Sequence, residues 1–252
     1  MFLAETWLDE ARLKRLCDKL NLKKVFGVSR ITRGGGLSLF LRQDFDLQVI
    51  DFTPNYIEAI INHGKDDVWR FTGFYGAPET ARRHESWNLL RQLGSRSNLP
   101  WLCARDFNEI TRMEEKQGGC PRPNNQMQDF HDVIDEVGFK DLGYVGDSFT
   151  WAKHYLDGQI IWEWLDRALG NGDWIGMFLD FKVIHLECVM LDHKPIQILP
   201  SGITPRRNRP WRFKQVWLSE NGCHEMVQAA WGAELDRLML KQVGEKNKDL
   251  PT

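Results

Sequence analysis

The sequence predicts an α/β domain in which two mainly antiparallel sheets pack face to face between helices, as a four-layer sandwich. Short strand-like runs recur between residues 24 and 199, and helical segments with one apolar face interrupt them. Residues 68–107 follow the strand–helix–strand order that is typical of a parallel step. A chain of 252 residues with 42% hydrophobic side chains can bury a substantial core without disulfides.

The amino-terminal third predicts a strand, a helix and then four further strands. Residues 1–6 read as a short strand with Glu5 at its carboxyl end, and Asp9-Glu10 open a helix that reaches about Leu20. Arg33-Gly34-Gly35-Gly36 is interpreted as a turn, because no phosphate-loop motif or helix follows it. We expect an antiparallel meander here. Its strands are predicted at residues 24–28, 37–41, 47–52 and 56–62.

The middle of the chain predicts a βαβ unit followed by a second helix. A strand at residues 68–75, a helix at 79–93 and a buried strand at 100–107 make up the unit. Residues 125–137 carry apolar side chains on one helical face, and Gly138 is a typical helix end. This second helix is expected to pack on the sheet.

A tryptophan-rich hairpin follows. Runs at residues 149–155 and 159–169 flank Asp157-Gly158, a dipeptide that favours a tight hairpin turn. The hairpin carries Trp151 and Trp162, large aromatic side chains that suit either a core or stacking on bases. The last two strands are predicted at residues 182–186 and 193–199.

The carboxyl-terminal fifth has a different composition. Residues 200–210 are rich in Pro, Gly and Arg, which indicates a linker. We therefore predict a domain at residues 1–200, a linker at 201–212 and an amphipathic helical segment at 213–252.

Composition excludes several classes of protein. A net charge of −2 provides no global basic field, so a nucleic-acid partner would need local patches of arginine. The five cysteines are far apart and form no C-x-x-C pair, which argues against a zinc or disulfide-based fold. No apolar run approaches the ~20 residues of a membrane span. A soluble, intracellular protein that does not enter membranes is expected.

Three short polar clusters carry the predicted chemistry: Asp106-Phe107-Asn108, Asp166-Arg167 and Asp192-His193. Residues i and i+2 of a strand share a face, so Asp106 and Asn108 are expected to line one pocket. Hydrolysis of a phosphodiester requires a group that orients or deprotonates water and groups that neutralise the phosphate charge. Carboxylates, an amide and a histidine meet these needs. The clusters therefore predict one metal-assisted site that cleaves phosphodiesters.

The order of these clusters resembles that of the endonuclease/exonuclease/phosphatase superfamily. The sequence is most similar to the AP-endonuclease-like domain of plant non-LTR retrotransposons of the LINE type. The stretches that carry this resemblance are Phe2-Leu3-Ala4-Glu5-Thr6, Trp69-Arg70-Phe71-Thr72-Gly73-Phe74-Tyr75-Gly76, Arg82-Arg83-His84-Glu85-Ser86-Trp87, Leu99-Pro100-Trp101-Leu102-Cys103, Asp106-Phe107-Asn108-Glu109-Ile110, Gly118-Gly119-Cys120-Pro121-Arg122-Pro123, Phe149-Thr150-Trp151, Leu165-Asp166-Arg167-Ala168-Leu169 and Asp192-His193-Lys194-Pro195-Ile196.

The resemblance implies a DNase I-like fold and a role for each catalytic residue. Tyr75 would contact the phosphate, Asp106 would serve the nucleophilic water or the leaving group, and Asn108 would hold the phosphate. His193, paired with Asp166, would stabilise the charge of the pentacovalent state. The implied activity is DNA nicking during retrotransposition.

The same resemblance implies a cofactor and a partner. Glu5 and Asp192 would bind Mg²⁺, or Mn²⁺ in its place, and Trp151, Trp162 and Arg167 would contact DNA. A nuclear location is expected for such a protein, and no stable protein partner is inferred. The helical segment at residues 213–252 would lead to a reverse transcriptase.

Departures from the family pattern keep two alternatives open. The family's first strand, which bears an asparagine, would lie before Met1, and its loss would leave a sheet edge or a gap. Arg105 stands where glycine is usual, so crowding of ~1–3 kcal/mol or a positive φ is expected. Trp164 stands where the family usually has arginine, and Leu191 stands where it usually has serine. The alternatives are a catalytically inactive, nucleic-acid-binding remnant and a phosphoesterase acting on lipid or inositol phosphates.

Overall fold

The computed structural model describes residues 1–28, 36–42, 45–188 and 191–201. The predicted helical segment at residues 213–252 and almost all of the predicted linker lie outside the described residues, as does most of the Arg33-Gly34-Gly35-Gly36 turn. Within the described ranges, no helix is long and apolar enough to cross a membrane.

The described residues form four α-helices and fourteen strands. The helices are α1 (Glu10–Lys19), α2 (Arg83–Gly94), α3 (Asn124–Val137) and α4 (Gly172–Met177). The strands are β1 (Phe2–Leu3), β2 (Lys24–Val28), β3 (Leu37–Leu41), β4 (Leu47–Thr53), β5 (Tyr56–Ile61), β6 (Trp69–Tyr75), β7 (Trp101–Asp106), β8 (Lys116–Gln117), β9 (Phe139–Asp141), β10 (Trp151–His154), β11 (Ile160–Glu163), β12 (Asp166–Asn171), β13 (Lys182–His185) and β14 (Ile196–Leu199).

Most predicted elements are present, but one predicted run is divided and three short elements were not predicted. The run at residues 159–169 is two strands, β11 and β12, that belong to different sheets. The strands β8 and β9 and the helix α4 were not predicted. Each is at most six residues long, too short for hydrophobic periodicity to reveal it.

A six-stranded central sheet has the order β4-β5-β6-β7-β12-β9. All its neighbouring strands are antiparallel except β6 and β7, which are parallel as the βαβ pattern predicted. Tyr75 of β6 lies beside Asp106 of β7, and Asp106 lies opposite Asp166 of β12. Directly paired residues share a sheet face. The register therefore places Tyr75, Asp106 and Asp166 side by side at one end of the sheet.

Two helices cover one face of the central sheet. Trp87 and Leu90 of α2 and Phe130 of α3 are buried in one cluster with Trp101 and Cys103 of β7. The rings of Trp87 and Phe130 stack with centroids 4.6 Å apart. The helix α3 ends at Gly138 in the left-handed region, with φ +75, as the sequence predicted. Apolar burial thus fixes both helices on this face.

The opposite face is covered by a second layer of strands. In β3, Leu37 and Leu39 pack toward the central sheet, whereas Phe40 points outward to Leu13 of α1. The strands β13 and β14 pack beside this group, with Val183 and other apolar residues against β7 and β12. Helices, sheet, strands and α1 form four layers. The predicted four-layer α/β sandwich is confirmed.

The predicted meander over residues 24–62 was wrong. The strand β3 pairs with β1 and β2, whereas β4 and β5 belong to the central sheet. Every residue of β3 and of β5 is buried. A strand that is buried on both faces must be covered by a layer on each side. The strands of a single meander would all be covered by the same two layers. The chain therefore changes layer between β3 and β4.

Candidate active site

A buried cluster of two carboxyls and an imidazole lies at the end of β7. The Nδ1 atom of His193 is 2.8 Å from Oδ2 of Asp166, and its Nε2 atom is 3.8 Å from Oδ2 of Asp106. Both aspartates are buried. A backbone bridge between His193 and Trp151 of β10 fixes the histidine from the other side. The structure therefore brings together one residue from each of the three predicted clusters.

The charges in this cluster are strongly coupled. Burial and the neighbouring Asp166 raise the pKa of Asp106 to about 7. Burial alone would lower the pKa of His193, but Asp166 and then Asp106 raise it to about 9. Burial alone would raise the pKa of Asp166, but Arg105 and His193 hold that pKa below its ordinary value. Near pH 7 the cluster thus contains an imidazolium, a carboxylate and a carboxyl close to half ionisation.

Asn108 holds the carboxyl of Asp106 in place. Its backbone N–H donates to Oδ1 of Asp106 at 2.9 Å, and its Nδ2 donates to Oδ2 of Asp106 at 3.1 Å and to the carbonyl oxygen of Gly76 at 3.0 Å. The side-chain amide has two N–H groups, and both are used. In this conformation Asn108 therefore positions Asp106. A phosphate contact by its amide, the predicted role, would require one of these bonds to break.

Tyr75 and Glu5 are joined by a hydrogen bond from the phenol to the Glu5 carboxylate. Glu5 is otherwise exposed and has a positive φ of 52, whereas Tyr75 is buried. The bond brings the end of β1 to the end of β6, beside Asp106. Two residues that are far apart in sequence, and that were predicted for the same site, are thus in contact.

The donor set fits a hard divalent cation. Mg²⁺ takes one or two protein carboxylates because it keeps waters and binds substrate phosphate. Glu5 and Asp192 offer exposed carboxylates for this role. In the described part of the chain, the side chains with metal-ligand spacing are those of Asp106, Asp166 and His193. Both Asp166 oxygens are already bonded, however, one to Arg105 and one to His193. Glu5 and Asp192 therefore stay the predicted ligands of the cation.

The hairpin β10–β11 lies beside the cluster in a small sheet with β8. Its turn contains Gly158 at φ +84, as the Asp157-Gly158 dipeptide predicted. Trp151 and Trp162 are partly exposed. This exposure is compatible with the predicted DNA contacts of both tryptophans, which stay predictions.

Arg167 does not fit its predicted contact with DNA. The residue is 1% exposed, and its guanidinium binds the carboxylates of Glu115 and Asp141 and lies over the ring of Trp164. Burial is the physical reason for the correction, since a phosphate cannot reach a guanidinium enclosed in this way. Arg167 instead links β12 to Glu115 and to Asp141 of β9 inside the protein.

Thr150 is a positioning residue that the sequence analysis missed. Its buried Oγ1 accepts hydrogen bonds from the backbone N–H groups of Leu165 and Asp166, at 3.1 and 2.9 Å. Trp164 also donates from Nε1 to the carbonyl oxygen of Asp166, at 2.8 Å. The available signal was the Phe149-Thr150-Trp151 stretch, which carried part of the resemblance and of a predicted strand but gave no role to Thr150.

Gly76 allows β6 and the turn after β7 to approach closely. A Cβ atom here would lie 2.4 Å from the carbonyl oxygen and 2.8 Å from the carbonyl carbon of Phe107. Gly76→Ala should therefore lower the free energy of unfolding by ~1–3 kcal/mol, as overpacking typically does. Urea unfolding measures this change. Gly172→Ala, with no atom within 4 Å of the new Cβ, is the control; equal midpoints for both variants would contradict the close approach.

No protein-family model matches the sequence, and no curated protein is similar enough to count as a match. Several solved structures share the fold. The endonuclease domain of TRAS1, a telomere-specific non-LTR retrotransposon, is 14% identical, with a TM-score of 0.52 over 69% of this chain and 76% of that chain. The 3′–5′ exonuclease of Neisseria meningitidis is 16% identical, with a TM-score of 0.56 over 79% and 87%.

A third similar structure is the AP endonuclease of Archaeoglobus fulgidus, 11% identical, with a TM-score of 0.56 over 79% of this chain and 87% of that chain. These likenesses show the fold. It is the mixed α/β arrangement of sheets flanked by helices found in DNase I-like proteins.

Proposed function

We propose that this chain is a metal-dependent phosphodiester hydrolase that nicks DNA. The observation that carries the proposal is the buried cluster in which Asp106, with a pKa of about 7, faces an imidazolium held by Asp166. A carboxyl that titrates near neutral pH is suited to general acid–base catalysis. An adjacent fixed positive charge is suited to a reacting phosphate.

Each residue of the cluster has a distinct task in this proposal. Asp106, oriented by Asn108, takes the proton of the attacking water. His193 presents its Nε2–H toward the phosphate and neutralises the charge that develops on the non-bridging oxygens, while Asp166 keeps the imidazole protonated and fixes its ring. A divalent cation held by Glu5 and Asp192 would supply Lewis-acid polarisation of the phosphate. Tyr75 holds the Glu5 carboxylate at the end of β6.

Two similarities, one of fold and one of sequence motifs, support DNA as the substrate. Among the structures with the same fold, one is named as a retrotransposon endonuclease domain, and another as a 3′ phosphatase from Neisseria bound to a product DNA hairpin. The motifs also resemble those of plant LINE-type elements. On this basis we propose chromosomal DNA as the target and the nucleus as the place of action.

The direct test is nicking of supercoiled plasmid by the purified full chain. In Mg²⁺ or Mn²⁺ we expect conversion to the open circle, and in excess EDTA we expect none. Tested in parallel, an inositol phosphate should release no phosphate, and a short-chain phospholipid should release no phosphorylated head group. Absence of nicking with both metals would reject the proposal, and would favour a protein that binds nucleic acid without cleaving it.

The kcat/KM for nicking should first rise and then fall as the pH increases. Asp106 must lose its proton to act as a base, so kcat/KM should rise as the pH passes about 7. His193 must keep its proton, so kcat/KM should fall as the pH passes about 9. Initial nicking rates between pH 5.5 and 10 measure this profile. In His193→Gln the upper limb should vanish; a wild-type rate that is flat across this range would contradict both roles.

A further inference from the structure

Arg105 adopts a backbone conformation that L side chains rarely take. Its φ is +116, in the strand β7 and directly before Asp106. Such a conformation costs on the order of 1–3 kcal/mol and persists only where the surrounding structure compensates for it. A glycine would adopt the same φ without this cost. The arginine side chain must therefore provide something that offsets the strain.

The unusual φ redirects the side chain. In a regular strand, side chains alternate between faces, and Arg105 would share the helix-covered face with Trp101 and Cys103. Instead its Nη1 donates to Oδ1 of Asp166 at 2.8 Å. Arg105 and Asp106 are neighbours in sequence, yet both side chains reach the catalytic cluster. Because the Arg105 side chain departs from the alternating pattern, its guanidinium joins the carboxyls of Asp106 and Asp166 and the imidazole of His193.

The guanidinium keeps unused hydrogen-bonding capacity. Its Nε is buried and has no hydrogen-bond partner among the residues that the structure describes. An unpaired buried donor costs about 1–3 kcal/mol. The side chain is 20% exposed, so solvent and ligands reach part of it. Of five N–H donors, only one has a described protein acceptor, and that acceptor is Asp166.

We infer that Arg105 is a phosphate-binding residue that contacts a non-bridging oxygen of the DNA phosphodiester while it remains paired with Asp166. The planar fork of arginine suits this double use, because it can donate to a carboxylate and a phosphate in parallel. A bound phosphate would accept from the exposed part of the guanidinium, whose described protein acceptor is Asp166 alone. The inference rests on the proposed function for the identity of the substrate.

The test measures binding in EDTA, so that it does not depend on cleavage. The probe is a fluorescein-labelled DNA duplex of about 20 base pairs, and anisotropy gives its Kd at several salt concentrations. Relative to wild type, Arg105→Gly should weaken binding about tenfold and reduce the slope of log Kd against log salt by about 0.9, the value of one phosphate contact. Arg105→Lys should restore most of the slope but only part of the affinity.

Two further measurements separate the contribution of Arg105 to DNA binding from the effect of its backbone strain. Asn21→Gly relieves the strain of a positive φ of 53 at an exposed position away from the cluster, and it should leave DNA affinity unchanged. Circular dichroism should show Arg105→Gly folded, because glycine relieves the φ strain. If that variant binds DNA with the wild-type Kd and slope, Arg105 is only a strained residue and the inference fails. Wild type that binds DNA without nicking it would reject the proposed function but leave Arg105 as a DNA contact.

Discussion

Asp106→Asn should reduce the rate of plasmid nicking by about 10²–10⁴-fold, the range that general acid–base groups contribute. The reason is the position of this carboxyl, 3.8 Å from the protonated His193 and bonded to Asn108. Asparagine keeps the size of the side chain but cannot take a proton from water. Single-turnover nicking in saturating Mg²⁺ measures the loss at the chemical step.

The fold of this variant should survive. Asp106 is buried beside the charged Asp166, and this position raises its pKa, so its ionised form is disfavoured in the folded state. A neutral amide removes that repulsion, and the free energy of unfolding at pH 8 should stay equal or increase. Nicking at the wild-type rate by a well-folded Asp106→Asn protein would show that another group activates the water.

Arg167→Met should lower the free energy of unfolding by about 3–5 kcal/mol, because it leaves the buried carboxylate of Glu115 without its buried cationic partner. The other cation beside that carboxylate, Arg112, is 71% exposed and 3.6 Å away. Arg167 also binds Asp141 at 2.7 Å and stacks over Trp164 at 4.0 Å. Methionine fills much of the same volume, so the loss reflects charge more than a cavity. Urea unfolding at neutral pH measures the change.

The matched control is Arg82→Met. Arg82 forms an ion pair with Glu85 in which the side chains are 49% and 51% exposed, so its loss should cost less than about 1 kcal/mol. DNA affinity, measured on folded protein at low temperature, should be the same for Arg167→Met and wild type. A stable Arg167→Met protein with weakened DNA binding would instead support the contact predicted from sequence.

Arg167 shows where sequence reasoning reaches its limit. A charged residue is expected at the surface unless a partner is known, and its partners Glu115 and Asp141 are 52 and 26 positions away. Nothing in the local pattern marks these three residues as neighbours. The resemblance implied a DNA contact for this arginine, although it lies inside the protein.

The strand-end clusters were easier to predict than the bonds within them. Strand periodicity placed Asp106 at the end of a buried strand, and the structure confirms this position. The resemblance predicted a positive φ or crowding at Arg105, and φ is +116. The ion pair from Arg105 to Asp166 and the two bonds of the Asn108 amide depend on side-chain rotamers and on cross-strand register, which no local sequence pattern encodes.

The meander over residues 24–62 failed for a related reason. Each strand was located closely, but pairing was inferred from adjacency in the chain. The observed pairing places β3 and β5 in different sheets. Sequence gives the burial pattern of a strand more readily than it gives the strand's neighbours.

Three contacts that build the site join distant parts of the chain. Arg105 and Asp166 are 61 positions apart, Tyr75 and Glu5 are 70 apart, and His193 and Asp166 are 27 apart. Each contact closes a long loop, whose entropy must be lost before the contact forms. During refolding, local helices and hairpins should thus precede a competent cluster, and recovery of hydrolytic capacity should lag behind recovery of secondary structure.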